Sequence, residues 1–222
     1  MDSKIVMEMI LQSGVVAIMR ATSSDQLLFA ADAVLAGGVN IIEVTMTTAG
    51  ALDVVRQATS RFGSEVVFGV GSVLDPETAR AAMLAGADFV VCPTLKVQTI
   101  EICKRYSVLV MPGAYTPTEI LTAWEAGADI VKVFPASTGG PAFFKAVKAP
   151  LPHIRLAAVG GVDLSNTADF LKAGVDIVGV GGDLVNQKLL DTKDFHTITE
   201  RARRYREEVE KGRSDWAEKG KA

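Results

Sequence analysis

The chain has 222 residues, 49% of them hydrophobic, and at ~150 residues per domain this length supplies one sizeable core with no linker to divide it. Its 23 Lys and Arg against 26 Asp and Glu leave a formal net charge of −3, so no basic field exists to hold nucleic acid. Apolar stretches run only a few residues, far short of the ~20 that a membrane span requires, and Asp2 and Glu8 interrupt an N-terminus that does not read as a secretory signal. The expected location is the cytoplasm. Two cysteines, Cys92 and Cys103, fall on different predicted elements and form neither a disulfide framework nor a metal cage; they read as buried thiols.

The residues before Val15 predict a short N-terminal helix over the floor of the fold, and Val15 to Met19 is the first strand. One phrase then returns four times along the chain: Gly37-Gly38-Val39-Asn40-Ile41-Ile42, Ala85-Gly86-Ala87-Asp88-Phe89-Val90, Ala126-Gly127-Ala128-Asp129-Ile130-Val131 and Ala173-Gly174-Val175-Asp176-Ile177-Val178. Each is a helix stop followed by a strand: the glycine takes a left-handed C-cap conformation, Asn or Asp makes the turn, and the β-branched run is a buried strand. Successive anchoring glycines (Gly38, Gly86, Gly127, Gly174) lie 48, 41 and 47 residues apart, about two βα units each. The intervening strands are Val66 to Val70, Val108 to Met111 and Ile154 to Val159, which makes eight in all. Helix starts stand at Asp75-Pro76-Glu77, Thr116-Pro117-Thr118-Glu119 and Asp163-Leu164-Ser165-Asn166. The pattern predicts an α/β fold, a compact (β/α)8 TIM barrel with a short N-terminal helix; an open doubly wound sheet is the rival that the fourfold echo disfavours. We expect residues 1–211 to form a single barrel domain and 212–222 a charged, frayed C-terminal tail.

The repeat also sets a register. Five places past each glycine stand Glu43, Val91, Lys132 and Gly179, on the second, fourth, sixth and eighth strands, where side chains of alternate strands share one interior layer. That layer would hold a carboxylate, an ammonium, an aliphatic group and an empty space. An internal salt bridge explains it poorly, because burial costs several kcal/mol per ion and apolar replacements are often as stable. A lysine in Ile130-Val131-Lys132-Val133-Phe134 is desolvated by its neighbours, which favours the neutral amine that attacks a carbonyl. Phe134 would wall the pocket, and Glu43 is then the natural proton carrier.

Gly160-Gly161 and Gly181-Gly182 end strands seven and eight, where barrels often bind phosphate on backbone N–H groups; tight βα turns are the alternative reading. Asp183 would repel an anion there unless it points away. Arg20 closes strand one and is read as a ligand for a substrate carboxylate. The two histidines, His153 and His196, fall on a loop and at the start of the last helix, and metal-ligand spacings are absent, so neither metal nor cofactor is expected.

Taken in order, Ile42-Glu43-Val44-Thr45, Gly69-Val70-Gly71-Ser72-Val73, Cys92-Pro93, Met111-Pro112-Gly113, Thr116-Pro117-Thr118-Glu119, Val131-Lys132-Val133-Phe134-Pro135, Gly140-Pro141 and Val159-Gly160-Gly161-Val162 resemble the motifs of class I 2-keto-3-deoxy-6-phosphogluconate (KDPG) aldolases. That family includes 4-hydroxy-2-oxoglutarate (KHG) aldolase activity. The match runs over about residues 13 to 208, and its specific part is Lys-x-Phe-Pro with the upstream Glu-x-Thr. The resemblance implies that Lys132 forms a Schiff base with the pyruvate half of a 2-keto acid and that Glu43 is the acid/base. It puts Ser72 near the pyruvate carboxylate, Pro93 and Phe134 around the pocket, and Thr45 and Thr47 among the substrate-binding residues. It further implies a homotrimer releasing pyruvate with glyceraldehyde 3-phosphate or glyoxylate; some relatives act on the galactonate epimer. Three departures bear on substrate preference: Thr47 stands where many members have a carboxylate-binding Arg, Val159 replaces a frequent Thr, and Gly182 replaces a frequent phosphate-binding Ser. Two other readings keep the barrel, a sugar-phosphate isomerase or epimerase with Glu43 as base, and a non-catalytic oligomeric barrel.

Overall fold

The structure is a computed structural model that describes residues 1–219, with side chains as far as Ser214. In chain order the elements are α1 (Ser3–Ser13), β1 (Val15–Met19), α2 (Ser24–Ala36), β2 (Ile41–Thr45), α3 (Ala51–Phe62), β3 (Val67–Gly71), α4 (Pro76–Leu84), β4 (Phe89–Val91), α5 (Val97–Arg105) and β5 (Leu109–Met111). They continue with β6 (Gly113–Ala114), α6 (Pro117–Glu125), β7 (Val131–Val133), α7 (Ala136–Lys148), β8 (Leu156–Val159), α8 (Thr167–Lys172), β9 (Ile177–Val180), α9 (Gln187–Asp191) and α10 (Phe195–Lys219). All strand pairings are parallel, in the order β5-β4-β3-β2-β1-β9-β8-β7-β6. Because the two ends of that order are consecutive in the chain, the sheet closes on itself as a TIM-type barrel, and the open doubly wound alternative is out.

The fifth strand, expected over Val108 to Met111, resumes beyond Pro112 as a second segment, for a covalent reason. Pro112 lacks an N–H and cannot carry a ladder through. Below it β5 pairs with β4, and above it β6 pairs with β7, the Pro112 carbonyl accepting from the Lys132 N–H at 2.9 Å. The barrel therefore has eight staves, one of them broken at the seam.

Each strand is buried on both faces. Inside the barrel lie Val16, Ile41, Val67, Phe89, Leu109, Ile130 and Ile177, and α1 closes the floor with Val6 and Ile10. Outside, Leu27, Val55, Ile100, Ile120, Phe144, Phe170 and Tyr205 form the helix-to-sheet core. A fully buried Ile or Phe contributes roughly 1.5–3 kcal/mol. None of the described helices is long and apolar enough to cross a membrane.

The four repeat glycines adopt the left-handed conformation, with φ of 86°, 97°, 100° and 92° at Gly38, Gly86, Gly127 and Gly174. The Asp two places on does more than turn the chain. Its carboxylate accepts the N–H of the preceding strand: Phe68 to Asp88 at 3.3 Å, Val110 to Asp129 at 2.9 Å, Leu156 to Asp176 at 2.8 Å. Each carboxylate also holds a cation, from the Met1 amino group, Lys104 and Lys148 respectively.

Two boundaries differ from expectation. Asp163 folds its own turn by accepting from Ser165 and Asn166, so α8 begins only at Thr167. The chain does not fray at Gly212: α10 continues to Lys219, Gly212 packs so tightly on α8 that a Cβ there would lie 2.6 Å from Leu171 Cβ, and Arg213 donates to the Gln12 carbonyl at 3.1 Å. Residues 220–222 of the expected tail lie outside the described residues.

Candidate active site

The register predicted from the glycines is the one observed. Glu43, Val91, Lys132 and Gly179 all line one small void inside the barrel. Beneath them, three places past each glycine, Ile41, Phe89, Ile130 and Ile177 are fully buried and form an apolar floor. Above them opens a cavity of about 470 Å³ at the C-terminal ends of the strands. Glu43 is 3% exposed and Lys132 6%. The fourth position is not empty as expected: a Cβ on Gly179 would meet Val159 at 2.9 Å and Ile18 at 3.1 Å, so those side chains fill its place.

Glu43 is housed by Gly71, a glycine that the sequence motif contains without a role assigned to it. A Cβ on Gly71 would stand 1.7 Å from Glu43 Oε1 and 2.3 Å from Cδ, so the carboxyl occupies the space a side chain would take. On the same strand Gly69 makes room for the Phe89 ring, 2.3 Å from where its Cβ would be. Glycine inside a buried strand marks close approach, and Gly69-x-Gly71 was the available signal. Burial pushes the Glu43 carboxyl above its ordinary value of 4.5, against the attraction of Lys132 and then of Arg20. Lys132 Nζ lies 5.2 Å from the centroid of the Phe134 ring, within cation–π range.

Around the rim the cavity is lined by Arg20, Ser72, Pro93, Phe134 and the four predicted glycines. Phe134 is 41% exposed, so it walls the mouth rather than the depth. Ser72 holds a left-handed φ of 59°, uncommon for a residue with a side chain and often found at functional sites. Arg20 reaches across to the last βα turn, its Nη1 3.7 Å from the place of a Gly181 Cβ.

The glycine turns spend every carbonyl on the protein. Gly160 O accepts from Ser137 N at 3.0 Å, and Gly161 O from Asn166 Nδ2 at 2.9 Å. Gly181 O accepts from Leu184 N at 2.9 Å and Val185 N at 3.0 Å, and Gly182 O from Asn186 Nδ2 at 3.1 Å. What these turns keep to offer a ligand is N–H, the donor an anion needs. Two carboxylates also line the cavity, Asp163 and Asp183. Asp163 Oδ1 accepts from the Ser165 hydroxyl at 2.6 Å and the Ser165 N–H at 2.8 Å, while Asp183 Oδ2 accepts from the Tyr205 hydroxyl.

Thr45 and Thr47 do not join this set. Thr45 is fully buried, and its hydroxyl is bonded to that of exposed Thr47 at 2.7 Å. His153 and His196 are exposed, Cys92 and Cys103 are buried with thiols that burial pushes up to about 12, and among the described residues no three His, Cys, Asp or Glu converge as a metal site.

With this geometry in hand, comparison with known proteins is specific. The family model for KDPG and KHG aldolase matches residues 6–201. The 2-dehydro-3-deoxy-6-phosphogalactonate aldolase of Escherichia coli (strain K12) is 35% identical over 170 residues, 76% of this chain and 83% of the relative. The 2-dehydro-3-deoxy-phosphogluconate aldolase of Pseudomonas aeruginosa is 38% identical over 170 residues, 76% of each chain. The KHG/KDPG aldolase of Escherichia coli (strain K12) is 32% identical over 175 residues, 78% of this chain and 81% of the relative. A solved structure described as native KDPGal superposes with a TM-score of 0.83 at 30% identity, over 89% of this chain and 95% of that one.

Two outcomes follow from how Glu43 is held. Gly71→Ala should still fold, because the clash falls on a side chain with a cavity beside it, yet displacing the carboxyl should lower kcat/KM by about a hundredfold; an active Gly71→Ala enzyme would show that the fit is immaterial. Glu43→Gln should remove turnover and raise the melting temperature. A carboxyl whose folded value is raised loses stability as pH climbs through that value, so the gain should vanish below pH 4.5, the ordinary value, and grow above it. Melting curves of both proteins across pH check this, and an equal or lower Tm for the variant at neutral pH contradicts it.

Proposed function

We infer the reaction from a premise the family match supplies: this chain belongs to the KDPG and KHG aldolase family, and it is an aldolase, a lyase. The observation that carries the mechanism is that an amine and a carboxyl, each more than nine-tenths buried, stand in one layer at the base of a single open cavity. Burying such a pair costs several kcal/mol per ion, a cost that structure alone has no need to bear.

In the proposed cycle the Lys132 amine, after giving up its proton, adds to the C2 carbonyl of a 2-keto-4-hydroxy acid, giving a carbinolamine that loses water to an iminium. Glu43, directly or through one water, carries the protons of these steps. With the iminium as electron sink, Glu43 takes the C4 hydroxyl proton, the C3–C4 bond breaks, and the aldehyde leaves. The enamine that remains is protonated at C3, and hydrolysis of the imine returns pyruvate and the free lysine. Ser72 and Pro93 hold the keto-acid end, and Phe134 shields the mouth. The N–H groups of the Gly160-Gly161 and Gly181-Gly182 turns hold a phosphate, with Arg20, which lies beside Gly181, supplying the cation on that side. This assignment moves Arg20 from the keto-acid carboxylate to the far anion. Candidate substrates are the phosphorylated 2-keto-3-deoxy gluconate and galactonate epimers, with glyceraldehyde 3-phosphate as aldehyde product, and 4-hydroxy-2-oxoglutarate, with glyoxylate. No metal or cofactor takes part, since an imine already supplies the electron sink, and the chain assembles as a homotrimer by likeness to its family.

Borohydride with pyruvate should fix an adduct on Lys132, found by peptide mass spectrometry, at the same rate in EDTA as without it. Absence of the adduct, or its survival in Lys132→Ala, removes the imine and favours an isomerase or epimerase using Glu43 as base. A monomer mass by light scattering at micromolar concentration would remove the trimer.

A further inference from the structure

The phosphate site has a built-in contradiction. Asp183 directly follows the Gly181-Gly182 turn and lines the same cavity, so its carboxylate is positioned either to repel a dianion or to take the turn's N–H donors for itself, as Asp side chains do at turns. The contradiction is resolved from the C-terminal helix. Tyr205 is fully buried against the outer core, and its hydroxyl donates to Asp183 Oδ2. One turn earlier on the same face of α10, Arg201 donates through Nη1 to the Asp183 backbone carbonyl. The two residues grip Asp183 at its side chain and its backbone. Burial and the neighbouring carboxylate push the phenol well above its usual range, so it remains a donor at any physiological pH. Gly182 itself has open space where a side chain would stand.

We propose that Tyr205 is a positioning residue for phosphate: by holding the Asp183 carboxylate toward the C-terminal helix, it leaves the Gly181-Gly182 N–H groups and Arg20 to the anionic end of the substrate. This rests on the phosphate site assigned above. Arg201 fixes the backbone of the same turn, so that the donors do not rotate when the anion leaves. Removing the hydroxyl frees a carboxylate that directly follows the turn whose N–H donors phosphate requires and that lines the same cavity, and phosphorylated substrate should weaken while the chemistry at Lys132 is spared.

The test compares wild type, Tyr205→Phe, Asp183→Asn and the double variant Tyr205→Phe/Asp183→Asn. Measurements are KM and kcat for phosphorylated substrate, the inhibition constant of inorganic phosphate, and the rate of pyruvate trapping at Lys132. Tyr205→Phe should raise both KM and the phosphate inhibition constant by about tenfold, the scale of a like charge brought against a bound anion, with kcat and trapping changed less than about twofold. The double variant should return both constants to within about twofold of wild type, because the carboxylate that Tyr205 controls is gone. Unchanged constants in Tyr205→Phe overturn the proposal, as does a loss that also slows trapping and is not rescued, which marks a merely structural role. Should Tyr205→Phe fail to fold, Asp183→Asn alone decides: a phosphate inhibition constant within about twofold of wild type supports a carboxylate already turned away, and a tenfold tightening overturns it. If phosphate does not inhibit wild type while the trap still forms, the phosphate site falls and this proposal with it, leaving the imine mechanism standing.

Discussion

Placing a carboxyl and an amine in one layer of an apolar barrel costs several kcal/mol per ion, and the surroundings of Glu43 and Lys132 are arranged to meet that constraint. The layer beneath is wholly apolar, Ile41, Phe89, Ile130 and Ile177, so neither group can be hydrated from below. Room for the carboxyl comes from the missing side chain of Gly71. Lys132 and Arg20 attract the Glu43 carboxylate, yet desolvation still dominates there and keeps the carboxyl above the ordinary range. A carboxyl raised in this way holds a proton more readily, and its carboxylate is a stronger base, than a solvated one, which suits a group that takes up and returns protons among amine, hydroxyl and water.

The opposite logic governs the rim. There the polar atoms are backbone, and the protein has sorted them by consuming the carbonyls of all four glycines in its own hydrogen bonds. Donors remain, and the two carboxylates beside them at the rim, Asp163 and Asp183, have oxygens already committed to Ser165 and Tyr205. Depth and rim thus differ in kind: the base of the cavity is tuned by exclusion of water, its mouth by control of which backbone atoms face outward.

What the sequence made legible, and what it hid, follows the range of the interaction. Gly38, Gly86, Gly127 and Gly174 are local signals, because a left-handed helix end needs only its own few residues. Strand alternation then carries the register five places on, which is why Glu43 and Lys132 could be paired before any fold was known. Arg20, Ser72, Pro93, Phe134 and the glycine pairs were found by their place at strand ends or by resemblance, and the cavity does gather them. Gly71 escaped because its meaning lies on the neighbouring strand, and the Tyr205 contact with Asp183 because 22 residues separate the partners. Pro112 was visible, yet its effect depends on two strands that meet only when the barrel closes. Thr45 and Thr47 were carried by motif alone, and their hydroxyls satisfy each other. The tail from Gly212 looked frayed because its charge is evident in sequence, while its packing on Leu171 is not.

The repeated phrase divides its positions between stability and chemistry. Two places past the glycine, Asp88, Asp129 and Asp176 each clamp the preceding strand and hold a cation, and only the first copy departs, with Asn40, whose backbone carbonyl accepts from Val67 at 2.9 Å. Three places past it the side chain is always apolar and closes the floor. Five places past it the four copies diverge completely, into Glu, Val, Lys and Gly. A position that must do the same mechanical work in every quarter of the barrel stays nearly constant, because each quarter closes the same ladder at the N-terminal end of its strand. The position facing the cavity is free of that duty, since the ladder is already pinned below it. Two strands could therefore take charged groups without loosening the barrel, and the closed sheet brings them into one layer that neither repeat could form alone.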